Sequence, residues 1–164
     1  PLLNTIARTG AYVADLFVGR RYEAVYLLCL NTQLRINHAA LLHEGTLNRS
    51  VVYPRLLAET ALRHQASVVT LAHNHPGGRA FPSRLDIELT NTAIRTLTPL
   101  GIGVADHVIV AGEAFYSFRE HQRMPDARRP LEARQVPEAG RGRGLELIAE
   151  EDYPAYGVLE EEPE

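Results

Sequence analysis

Residues 71–86 read LAHNHPGGRAFPSRLD. A short apolar run, SVVTLA (67–72), delivers His73 and His75, a Pro-Gly-Gly turn follows, and Ser83 and Asp86 open an amphipathic run. On an extended segment, residues two apart point the same way, so a strand end can offer both imidazoles to one ion. Asp86, on the first turn of the following helix, completes a His2Asp set with one position left open, as catalytic zinc requires. Pro76, Gly77 and Gly78 let the chain turn back sharply and bring the helix start against the strand end. The same letters also fit a plainer account. Ser83-x-x-Asp86 before an apolar run is a capping-box start that needs no metal. That account leaves the two histidines and the Gly-Gly hinge unexplained, and the two readings are compatible.

Working outward, a helix is expected from about Ser83 to Leu97, with Leu85, Leu89, Ile94 and Leu97 as core positions. IGVADHVIV (102–110), the turn AGEA and FYSF then form a hairpin. Upstream, NTIARTGAYVADLFV (4–18) places Ile6, Val13, Leu16 and Phe17 near one helical face, with Asn4 or Thr5 as cap and Gly19 as stop. YEAVYLLCL (22–30) is apolar on both faces and predicts a buried central strand. NTQ (31–33) turns the chain into a returning strand, LRINHAALLHEG (34–45). Pro54 opens PRLLAETALRHQ, a helix with proline where its missing N–H costs nothing. Two hairpins among alternating strands and helices argue for an α/β fold, a mixed β-sheet flanked by helices.

The chain has 164 residues, enough for one domain with a real core. It begins at Pro1 without a methionine, which fits a fragment or a trimmed chain and leaves room for an upstream domain. Apolar residues make up 45% without any run near the ~20 that a membrane helix needs, so a soluble protein is expected. Cys29, the only cysteine, lies inside VYLLCL and reads as a core residue, which suits a reducing cytoplasm. All 17 cationic residues are arginines, unevenly placed: residues 1–124 carry 12 against 9 acids, and 125–164 carry 5 against 11. The first part is therefore the expected domain, and 125–164 reads as a largely irregular acidic tail. So weakly basic a body offers little electrostatic footprint for DNA. The letters HNH do not make an HNH nuclease, whose named residues are dispersed over a longer motif. A zinc deaminase needs P-C-x-x-C, which one cysteine excludes.

HNHPGGRAFPSRLD, with GTLNRSVVYP upstream and GIGVADHVIV downstream, resembles the RadC family, a bacterial branch of the JAB/MPN (JAMM) metalloprotease superfamily. The resemblance covers about residues 20–120. It implies a cytidine-deaminase-like JAB/MPN domain with zinc on His73, His75 and Asp86, and Ser83 beside the attacking water. It also implies a glutamate at the start of an upstream strand as general base, and RYEAVYLLCLN makes that residue Glu23. The strand start would leave this carboxylate partly desolvated, which suits a base; Glu44 is the rival. The implied activity is zinc-dependent cleavage of an amide bond in a protein or peptide substrate. A DNA-repair-associated factor and a non-catalytic metal-binding interaction module are the alternatives. Asp106-His107 matches a family dipeptide, with a supporting role behind a ligand or a purely structural one. Gly77 stands where the family usually has serine, and Leu56 where it typically has glutamate. Arg79 and Arg84 border the site.

Overall fold

The structure, a computed structural model, describes residues 1–48 and 50–124. The tail expected over 125–164 lies outside the described residues. In chain order the elements are α1 (Ile6–Leu16), β1 (Ala24–Leu30), β2 (Ile36–Glu44), α2 (Pro54–Arg63), β3 (Val68–Asn74), α3 (Arg84–Leu97), a 3-10 turn (Thr98–Leu100), β4 (Gly103–Ala111) and β5 (Ala114–Ser117). The five strands form one sheet in the order β2-β1-β3-β4-β5. β3 and β4 run parallel and the other neighbours antiparallel, so the sheet is mixed as expected. β1 is internal, yet β3 holds the middle place. No described helix is long and apolar enough to cross a membrane.

Every residue of β1 is buried because both faces of the sheet are covered. Val25, Leu27 and Cys29 pack with Leu57 and Ala61 of α2 and with Leu89, Ile94 and Leu97 of α3. Tyr26, Leu28 and Leu30 alternate to the other face, against Val13 of α1 and Phe17 just past its end. Cys29 is fully buried, and burial pushes its thiol up to about 11, so it is the inert core residue expected. Thr5 caps α1 by accepting the Arg8 N–H, and at Gly10 the helix lies so close to Phe115 that a β-carbon would stand 2.5 Å from its ring.

β3 runs two residues past the expected end, through His73 and Asn74. Because β4 lies beside it in parallel, the connection must cross back over the sheet, and α3 is that crossover. The first turn of α3 therefore lies against the carboxyl end of β3, the usual place for a ligand crevice in an open sheet.

Asp106 and His107 point to opposite faces of β4 by strand alternation. Asp106 is buried, and that burial pushes its carboxyl up to about 6, against hydrogen bonds from Ser117 Oγ and from the Arg119 and His107 N–H groups, which favour the charged form. The folded state then holds this proton to higher pH than the unfolded chain, so the contribution of Asp106 to stability falls as pH rises from about 4 to 6. Urea unfolding of metal-free wild type and Asp106→Asn at those two pH values checks this. The stability of the wild type relative to the variant should decrease toward pH 6.

Candidate metal centre

Two buried side chains, His73 and Asp86, and the half-buried His75 meet where β3 ends and α3 begins. The capping box read from the sequence is present: Ser83 Oγ accepts the Asp86 N–H at 3.2 Å, and Asp86 Oδ2 accepts the Ser83 N–H at 2.8 Å. The Ser83 hydroxyl also donates to Asp86 Oδ2 at 2.8 Å. This fixes Asp86, which is 0% exposed, beneath both histidines. His73 Nδ1 lies 2.5 Å from Asp86 Oδ1, and His75 Nε2 lies 3.0 Å from Asp86 Oδ2. Burial alone would raise the Asp86 carboxyl; the hydrogen bonds to His73 and His75 outweigh it and hold the group well below the usual carboxylate range.

Hydrogen-bond accounting sets the ring orientations. Against the ionised Asp86, which only accepts, His73 Nδ1 must donate. In neutral His73 that leaves the Nε2 lone pair buried with no hydrogen-bond partner among the described residues. His75 Nδ1 donates to the Arg79 carbonyl at 2.9 Å, so in neutral His75 the Nε2 lone pair faces the carboxylate. Two acceptors at 3.0 Å need a cation between them, either a proton on His75 or a metal ion. Burial opposes protonation of His75, and the hydrogen bond and charge of Asp86 outweigh it, raising that group. The orphaned lone pair on His73, the carbonyl-anchored His75 and the buried Asp86 carboxylate together fit a divalent metal with N and O ligands.

His107 lies below this group, stacked on Phe118 at 4.9 Å. The Thr90 hydroxyl gives its hydrogen to the Asp86 carbonyl at 2.7 Å, so at 2.7 Å it accepts from His107 Nδ1–H. His107 Nε2 is thus a second buried lone pair without a partner. Donor atoms of His73, Asp86 and His107 all lie within 4.8 Å of one another. Burial lowers His107 to about 3, against the charge of Asp86, so the ring is neutral. Of the dipeptide, His107 lies on the site face, whereas Asp106 faces away and bonds Ser117 and the Arg119 N–H.

Glu23 stands at the mouth of the site, just before β1. Its Oε2 is 3.9 Å from His73 Nε2 and accepts the Leu47 N–H at 3.1 Å, while its carbonyl accepts the Gly45 N–H at 2.7 Å. Its rival Glu44 instead pairs with Arg20 at 3.1 Å. Arg84 faces Glu88 at 3.6 Å, and Arg79 serves the site through its carbonyl. Gly77 has φ +68°, the left-handed region where serine would be strained.

The structure thus brings together Glu23, His73, His75, Ser83 and Asp86, with His107 of the Asp106-His107 dipeptide behind them, and adds Thr90. A family model described as a RadC-like JAB domain matches residues 3–123. The chain belongs to that family. A UPF0758 protein of Janthinobacterium sp. (strain Marseille) is 40% identical over 119 residues, covering 73% of this chain and 53% of its own length. UPF0758 proteins of Vibrio parahaemolyticus and Herminiimonas arsenicoxydans are 37% and 39% identical over 118 residues, with the same 72% and 53% coverage. This RadC-like chain spans about half the length of these curated relatives.

A donor set of this kind makes metal binding visible as stability. Zinc at about 100 times its Kd should stabilise the metal-stripped protein by about 2.7 kcal/mol. Calorimetric melting with and without zinc should show that gain in the wild type and none in His73→Ala or Asp86→Ala.

Proposed function

We propose that this RadC-like JAB domain is a zinc-dependent hydrolase of the JAMM type that cleaves an amide bond in a protein or peptide substrate, working in the cytoplasm. The observation that carries the reading is the carboxylate of Glu23, 3.9 Å from the unpartnered Nε2 of His73 and on the open side of the donor set. His73, His75 and Asp86 would hold the ion. Zinc, when bound there, supplies a Lewis acid that acidifies water and polarises a carbonyl.

The remaining work falls to the chain's own residues. Glu23, with one oxygen held by the Leu47 N–H, takes the proton of the attacking water and returns it to the leaving amine. Its side chain is about one-third exposed, which gives water and substrate access to the base. Ser83 lies beside the same space with its hydroxyl hydrogen on Asp86 Oδ2; turned outward, that hydrogen orients the water or meets the developing oxyanion. Asp86 keeps both histidines in register, and the Arg79 carbonyl fixes the His75 tautomer.

Two other readings have less support. A DNA-associated role needs phosphate-neutralising charge, and 12 arginines against 9 acids over residues 1–124 supply little. A non-catalytic interaction module would have no need for a base aimed at a complete donor set.

Elemental analysis combined with peptide-library hydrolysis tests the proposal. Glu23→Gln should keep its zinc while turnover falls by about 10²–10⁴. Unchanged turnover in that variant, or a zinc-loaded wild type that cleaves no amide bond, contradicts the reading.

A further inference from the structure

The middle residue of His73-Asn74-His75 takes no part in the donor set, yet it is buried, at 5% exposure. Its Oδ1 accepts the Ala24 N–H at 2.6 Å, and its Nδ2 donates to the Tyr22 carbonyl at 3.0 Å. These are the two residues on either side of Glu23. The backbone ladder between β1 and β3 ends at Val25 opposite His73. One step further, the Asn74 amide replaces the missing backbone rung with side-chain atoms.

The chemistry of this contact is demanding. The Ala24 N–H can only donate and the Tyr22 carbonyl can only accept, so the amide has one workable orientation. Ionised aspartate lacks the donor, and leucine has neither group. Glu23 depends on such a clamp because its side chain is about one-third exposed. What it has is a fixed backbone: Asn74 grips its neighbours, the Gly45 N–H takes its carbonyl and the Leu47 N–H meets its carboxylate. The strand end that carries His73 and His75 therefore also sets the position of the base.

We propose that Asn74 is a positioning residue for Glu23, registering the carboxylate against the donor set without touching the metal or the substrate. The inference rests on the reading of Glu23 as general base. A purely structural clamp would affect only the β1–β3 junction, whereas a positioning clamp must also affect the carboxylate, and the Leu47 N–H reports on that atom.

The test uses Asn74→Ala, with Asn74→Asp as a milder variant that keeps the acceptor toward Ala24, each alone and combined with Glu23→Gln. Amide hydrogen exchange in the zinc-loaded protein should quicken at both Ala24 and Leu47 by roughly tenfold. Zinc content should stay at the wild-type level. In steady-state hydrolysis kcat should fall on the order of 10- to 100-fold with KM unchanged, as expected for a misplaced catalytic group. On the Glu23→Gln background the Asn74 substitution should cost nothing more. Unchanged Leu47 exchange, loss of zinc, or an equal cost with and without Glu23 would each overturn the proposal. The exchange measurement needs no turnover, so it decides the role of Asn74 even if the hydrolase reading fails.

Discussion

Asp86 sets the terms for the site. A carboxylate taken fully out of water is costly unless its charge is met, and here two histidines and the Ser83 cap meet it. Each partner imposes a requirement on the fold. The cap requires α3 to begin at Ser83, and the histidines require β3 to end where that helix starts. Both are met because parallel pairing of β3 with β4 forces a crossover helix between them. With neutral imidazoles, the acceptors around Asp86 outnumber the hydrogens of its partners, an arrangement that fits a cation, whether a proton on His75 or a metal ion.

The apparent choice between a metal loop and a capped helix dissolves in this geometry. Ser83 caps α3 and holds Asp86 with the same atoms, and Asp86 completes the cap while facing both rings. Capping makes the ligand rigid. This economy leaves Asp86 few alternative rotamers and suits a site whose donors must be in place before the metal arrives.

Much of this was legible in the sequence because the information was local. The H-x-H spacing fixes which way two rings point on a strand, and S-x-x-D fixes a helix start. Buried strands such as YEAVYLLCL declare themselves by composition. Glu23 was only half legible: its place at a strand start is visible, but its approach to His73 depends on β1 pairing with β3, some fifty residues away. Thr90 and Asn74 were illegible for the same reason. A threonine in a helix and an asparagine between two histidines have no fixed meaning until the register puts His107 opposite one and Ala24 beside the other. His107 was open because strand alternation leaves a dipeptide undecided until the covered faces are known.

The most direct test of the central claim is anomalous scattering at the zinc edge from crystals of the zinc-loaded chain. The account predicts one strong peak in direct contact with His73, His75 and Asp86, on the side that Glu23 faces. A peak elsewhere, such as at the stacked pair His38 and His64, or none at this centre, would contradict it.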